Sequence, residues 1–256
     1  MIDIVDHSQQ SSRPGQLGPS LEVHLLGTID FQTALALQQR LVFESTGRSD
    51  GQVTLLLCEH PPLITVGRQG SWAHLRISPR ELEARRLEVR WVNRGGGCLV
   101  HGPGQLAVYP VVPLAHHRLS VGAYLERLHT AIIAALADVR IAGQTQPRRH
   151  GVWGRSGQLA FVGTAVKNWT TYFGACINVE PPLRSFQGIQ TDPAGTSSPS
   201  SLVAERGRPV RMPTVRESVA RHLAAALGCE RLHVYTGHPL LSRPSLPAPE
   251  ARARVG

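Results

Sequence analysis

Between Arg94 and Pro110 the chain reads RGGGCLVHGPGQLAVYP, which places Gly95, Gly96, Gly97, Gly102 and Gly104 beside Cys98 and His101. A turn between two strands needs one or two glycines. Glycine in larger number costs backbone entropy on folding and is kept where main chain must approach something closely. The expectation is main chain laid against a ligand, with N–H groups available to bond it. The run lacks the GxxxxGK[ST] of a phosphate-binding loop. It also leads into a strand rather than a helix, unlike a dinucleotide-binding turn. Taken alone, His101 reads as a histidine satisfied in the core. Cys58, Cys98, Cys176 and Cys229 show no CxxC or other metal-type spacing, so no metal centre and no disulfide framework is expected.

These residues need elements to hold them. VRWVN leads into the glycine run as a strand, and QLAVYPVV leads out of it as another. Earlier, LEVHLLG (21–27) alternates like a strand, and FQTALALQQRLVFE carries helical spacing behind Asp30 as an N-cap. QVTLLLCEH is a β-type run closed by Pro61 and Pro62. SPRELEARRL reads as a helix capped by Ser78 with Pro79 at its first position. Ser120 to Val139 is a long amphipathic helix. The segments QLAFVGTAV and TTYFGACINV are strands, and a loop runs from about Glu180 to Ser200. TVRESVARHLAAALG is the last helix, ending at Gly228 as C-cap. Residues 1–20 and 238–256 are polar or rich in Pro, Arg and Ala and read as loose tails around one α+β domain, 21–237.

The net charge is +9, and Lys167 is the single lysine, so the excess is arginine. Such charge favours acidic partners. Nucleic acid is not the expected one, because no basic stripe with interleaved aromatics occurs and aromatics are 5% of residues. No apolar run of about 18 residues and no secretory leader is present, so a cytoplasmic protein without a membrane span is expected.

EHPPLITVGR (59–68) followed by RGGGCLVHGPGQLAVYPVV (94–112) resembles the octanoyl-(acyl carrier protein):protein octanoyltransferase family of lipoate biosynthesis, LipB. GQLAFVG (157–163), FGACINV (173–179) and FQGIQTDPAG…SSL (186–202) follow in that family's order and spacing, so the resemblance covers roughly 21–235. It implies mixed β-sheets flanked by helices, the catalytic-domain type of lipoyltransferases and biotin protein ligases. It also implies transfer of an octanoyl group from acyl carrier protein to a lysine of a lipoyl domain, as in 2-oxoacid dehydrogenases or glycine cleavage H protein, by a monomer without cofactor. By matching position, the acyl pocket consists of Arg94, Gly95, Gly96, Gly97, Cys98, Leu99, Val100 and His101, then Phe161, Val162 and Gly163, then Gly174, Ala175 and Cys176.

The same resemblance exposes departures at the catalytic positions. In the family a cysteine within I-x-P-C-G takes the acyl group as a thioester, and a lysine within K-I-A lowers the thiol pKa. Here IQTDP puts Asp192 at the nucleophile position and Pro193 at the glycine, QLA puts Gln158 at the lysine, and Phe173 stands for a histidine. An aspartate accepts an acyl group only as a mixed anhydride, uphill from a thioester, and a glutamine cannot act as base. Three readings follow. Acyl transfer proceeds by another route, with Cys98 or Cys176 as a relocated thiol, or with direct attack by the acceptor lysine and Asp192 as base. Alternatively the chain binds an acyl group, lipoyl group or carrier domain without chemistry, or it is a ligase-like enzyme. Lys167, nine residues beyond Gln158, reads as a surface residue.

Overall fold

The computed structural model describes residues 18–191 and 198–241. Its elements run β1 (Ser20–Thr28), α1 (Phe31–Ser45), β2 (Val53–Glu59), β3 (Leu63–Val66), α2 (Pro79–Ala84), β4 (Glu88–Trp91), β5 (Cys98–His101) and β6 (Gln105–Val111). They continue with α3 (Val121–Asp138), β7 (Gly151–Trp153), β8 (Gln158–Lys167), β9 (Thr170–Asn178), α4 (Leu202–Arg206), α5 (Met212–Leu227) and β10 (Arg231–Thr236).

Local chemistry sets the helix ends. The Asp30 carboxylate accepts from the Thr33 N–H, and the Ser120 hydroxyl accepts from the Ala123 N–H. Ser78 and Glu81 form a reciprocal capping box with Pro79 at the start of α2. Gly228 closes α5 in the left-handed conformation at φ 70°. The turn Asn168–Trp169, both residues with positive φ, joins β8 to β9 as a two-residue hairpin.

Seven strands form one mixed sheet in the order β10-β1-β2-β6-β9-β8-β7. Here β1 runs parallel to both β10 and β2, and the remaining pairs are antiparallel. A second sheet, β4-β3-β5, carries the strand that follows the glycine run. One face of the large sheet packs α3 and α5 through Leu57, Val108, Leu128, Ile132, Leu136 and Val219, all fully buried. The other face packs α1 and the small sheet through Phe31, Leu37, Leu56, Ile64, Val100 and Phe161. The mixed sheets flanked by helices expected from the sequence are therefore present.

Two differences stand out. β10 pairs in parallel with β1 from the far end of the chain, and β1 itself extends to Ser20, inside the segment read as tail. His238 is buried and packs against His24 with the rings tilted and their centroids 4.4 Å apart, at the start of the other segment read as tail. The rest of the two tails, 1–17 and 242–256, lies outside the described residues.

Candidate functional site

The face of the large sheet that meets the small sheet holds a cavity of about 200 Å³. β5 with the glycines before it supplies Arg94, Gly96, Gly97, Cys98, Leu99 and His101; β8 supplies Gln158, Phe161, Val162 and Gly163; β9 supplies Phe173, Gly174, Ala175 and Cys176. Phe31, Gln69, Tyr109, Arg148, Arg149, His150, Trp153 and Thr191 complete the lining. Of the residues singled out from sequence, two lie elsewhere. Val100 faces a second cavity, of about 320 Å³, on the opposite side of β5. Gly95 lies outside the main cavity, with its N–H donating to the Thr164 carbonyl at 3.0 Å. Asp192 and Pro193 lie outside the described residues, while their neighbour Thr191 lines the cavity.

The glycines serve backbone contact as much as any ligand. Carbonyls of Arg94, Gly96 and Gly97 accept from the N–H groups of Arg68, Gln69 and Gly67, at 2.9, 3.1 and 3.0 Å. A Cβ on Gly67 would stand 2.5 Å from the Gly96 carbonyl oxygen, and a Cβ on Gly163 would stand 2.5 Å from that of Gly95. The glycine run is thus clamped between the loop after β3 and the middle of β8. That clamp fixes the cavity wall.

Beneath the run lies a buried polar chain. Arg94 is 6% exposed, and no carboxylate pairs with it among the described residues. Its guanidinium donates to the Thr65 hydroxyl from Nε and from a terminal nitrogen at 3.3 and 2.7 Å, to the Thr65 carbonyl at 2.9 Å, and to the Gly95 carbonyl at 2.9 Å. Burial pulls its pKa below the usual arginine value. With its oxygen accepting twice from a cation, the Thr65 hydroxyl gives its own proton to His101 Nε2 at 3.0 Å. The other ring nitrogen, Nδ1, then carries the hydrogen and points at the Cys176 sulfur, 3.8 Å away.

This tautomer decides between the chemical roles of the pocket thiols. A base beside Cys176 must present a bare nitrogen, and the nitrogen it meets is protonated. Burial pushes the Cys176 thiol up to about 12, and it pushes Cys98 up as well. Cys98 has only the Ser71 carbonyl for a partner, at 3.9 Å. Neither thiol is activated. Cys176 also sits opposite Phe161, three residues along β8 from Gln158, which is about 10 Å of strand.

His60, on the segment after β2, was not singled out from sequence although its EHPP context was. Its Nδ1 donates to the Ile29 carbonyl at 2.8 Å, so Nε2 accepts from the Tyr109 hydroxyl at 2.9 Å. Its ring meets that of His101 at 5.6 Å. Burial holds His60 below its usual pKa, and burial together with the neighbouring His60 and Arg94 charges holds His101 well below it. The unfolded chain protonates these rings near pH 6.5, the folded chain only lower, so in that window the unfolded state binds more protons. Stability is therefore expected to fall with pH from about 7 to about 5, by up to about 1.4 kcal/mol per unit for each ring. Glu205, brought down to about 2 by bonds to Ser156 and Arg155 that outweigh its burial, adds its own loss only in more acid solution. Urea midpoints across that range test this, and a flat profile would mean the folded state protonates these rings freely.

At the Gln158 end the chemistry differs. Gln158 is 3% exposed, its Nε2 donates to the Ala160 carbonyl at 3.3 Å, and its Oε1 is buried without a partner. Thr191 is 6% exposed and its hydroxyl is likewise unpartnered. Phe173, in the place of the family's histidine, takes a positive φ of 58° in β9, and the Gln38 amide oxygen of α1 holds its N–H at 2.7 Å. Sequence gave no signal for Phe31, Tyr109, Arg148 or Trp153, which reach the cavity through topology alone. Among the described residues no group of three or more His, Cys, Asp or Glu is placed to hold a metal, and no helix is long and apolar enough to cross a membrane.

Residues 30–224 match the lipoyl protein ligase A/B catalytic domain. The chain is 36% identical over 222 residues to an octanoyltransferase of Roseiflexus sp. (strain RS-1), covering 85% of this chain and 91% of that one. It is 38% identical over 194 residues to an octanoyltransferase of Geotalea uraniireducens (strain Rf4), covering 76% and 87%. Among solved structures, lipoate-protein ligase A bound with ATP superimposes with a TM-score of 0.67 at 13% identity, over 87% of this chain and 90% of that one. The bi-partite lipoate protein ligase of Thermoplasma acidophilum superimposes at 0.64, also at 13% identity, over 87% and 88%. At that identity these structures speak for the fold.

Proposed function

The chain belongs to the octanoyltransferase family, within the lipoyl protein ligase A/B catalytic-domain class, and from that premise we propose the reaction it carries out. It moves an octanoyl group from the thioester of an acyl carrier protein to the ε-amino group of a lysine on a lipoyl domain. The acceptors are the lipoyl domains of 2-oxoacid dehydrogenases or the glycine cleavage H protein.

The observation that carries this reading is the division of the cavity into two ends. Around His101, Tyr109 and Cys176 every polar atom is taken up by a neighbour, and Phe31, Leu99 and Phe173 supply apolar wall. An alkyl chain needs such an end, because it offers no hydrogen bonds. Away from Cys176 along β8, Gln158 holds a buried oxygen without a partner, and Thr191 adds another to the lining, which suits the reacting groups. The cavity is smaller than the roughly 300–1,000 Å³ typical of drug-sized ligands, as a short unbranched chain requires. Arg148 and Arg149 line it too, and with the net charge of +9 they favour acidic carrier and acceptor domains.

The test is a transfer assay read by intact mass, with octanoyl-loaded carrier protein and apo lipoyl domain. Octanoylated lipoyl domain is expected. Carrier protein retained without product would instead mean binding without chemistry. Product formed only from free octanoate and ATP would mean a ligase.

A further inference from the structure

We infer that Gln158 and Thr191 receive the ε-amino group of the acceptor lysine and hold it for direct attack on the carrier thioester, with no acyl-enzyme stage. This rests on the transfer reaction proposed above.

Gln158 is fixed on both sides. Its N–H donates to the Ser198 carbonyl and its carbonyl accepts from the Ser200 N–H, each at 2.9 Å, while Trp153 pairs with it from β7. The Ala160 carbonyl can only accept, so the amide must turn its nitrogen there and its oxygen away. Gln158 lines the cavity, and its amide oxygen is buried and unpartnered. A buried orphan of this kind calls for a reason. An amide oxygen accepts and never donates, so the missing partner brings an N–H or O–H. The acyl chain and thioester carry none. A lysine amine carries two, and Thr191, which also lines the cavity, offers a second buried oxygen without a partner.

The surroundings also favour the neutral, nucleophilic form of that amine. Burial disfavours an ammonium, and Arg94 and Arg148 line the cavity with no carboxylate among the described lining residues. Gln158 itself is uncharged, whereas the lysine of the family pattern would set one ammonium against another. The pocket thiols are unactivated and Cys176 lies well along β8 from Gln158, so nothing described competes with the amine for the carbonyl. In the step, the amine nitrogen bonds to the carbonyl carbon and the carbon–sulfur bond breaks. Its electron pair leaves with sulfur, which takes the proton released by nitrogen. The products are an amide and the carrier thiol, and no further reactant is needed.

Initial rates at varied carrier and lipoyl domain are expected to give intersecting lines, and donor alone is expected to leave no octanoyl mass on the protein. Gln158→Met keeps the length and removes the acceptor. It is expected to lower kcat/KM for the lipoyl domain by roughly 10- to 100-fold and to leave KM for octanoyl carrier protein within about twofold. Thr191→Val, which keeps shape and loses the hydroxyl, is expected to act in the same direction and more weakly, and thermal melts check that both variants fold. A trapped octanoyl adduct, an unchanged acceptor kcat/KM in Gln158→Met, or a loss confined to carrier KM would each overturn the inference while leaving the transfer reaction standing. No transfer by the wild-type chain would overturn both.

Discussion

Arg94→Met is expected to lower stability by about 3 kcal/mol, a shift of roughly 6–12 °C in Tm for a chain of this size. The guanidinium holds the Thr65 hydroxyl and carbonyl and the Gly95 carbonyl, all out of water. Methionine fills much of the space and satisfies none of these. Relief of the buried charge offsets part of the loss, since no carboxylate pairs with Arg94 among the described residues. The Gly95 carbonyl left dry, with the Thr65 oxygens short of a donor, still outweighs that relief, because removing one partner exposes the full desolvation cost of the other. Arg94→Lys should do little better, for a single ammonium cannot span Thr65 and Gly95 with the same fork. There is a chemical sequel. With its cation gone the Thr65 hydroxyl no longer must donate to His101, so the ring loses its fixed tautomer. Thermal and urea unfolding of both variants are the check, and a Tm within about 2 °C of wild type would mean that the fork contributes little.

Gly163→Ala is expected to cut octanoyl transfer about 100-fold, while Gly95→Ala leaves it within about twofold. The contrast comes from where each methyl would point. On Gly163 it meets the Gly95 carbonyl oxygen at 2.5 Å, and that backbone cannot retreat, because the Gly95 N–H is held by the Thr164 carbonyl at 3.0 Å. The glycine run must lift from β8, and with it the wall formed by Gly96 and Gly97. Overpacking of this kind costs about 1–3 kcal/mol in stability, and a displacement of order 1 Å at a site accounts for the rate. On Gly95 the methyl meets nothing nearer than 3.6 Å, an ordinary contact. Steady-state rates of the two variants side by side decide it. Equal rates would mean that the run tolerates displacement.

The sequence spoke most clearly where the chemistry is local. Asp30, Ser78 with Pro79, Ser120 and Gly228 cap helices because each acts on backbone within about one turn. The strands flanking the glycine run were legible for the same reason. The pairing of β10 with β1 was not, since a parallel edge strand is chosen by what remains unpaired across the whole sheet. The glycine run was recognised, but its N–H groups were expected to be free for a ligand. Of these, Gly95 spends its N–H on Thr164, and three carbonyls of the run close on the loop after β3. The signal lay in plain view as Gly67, Gly70 and Gly163, which leave room for those contacts. Gln158 was legible only as an exchange for a lysine. That its oxygen would be left unpartnered depends on the Ala160 carbonyl beside it, which no spacing rule reveals.

Lys167 ends β8 at the exposed hairpin tip, nine residues from Gln158 and so about 30 Å along the strand. It is the only side-chain amine in the chain. With no second lysine, stray acylation of a side-chain amine has one place to go, and that place lies about 13 Å along β8 beyond Gly163, a residue of the cavity wall. The same scarcity makes the hairpin a natural handle. Side-chain coupling through Lys167 would tether the molecule at the end of β8 away from Gln158.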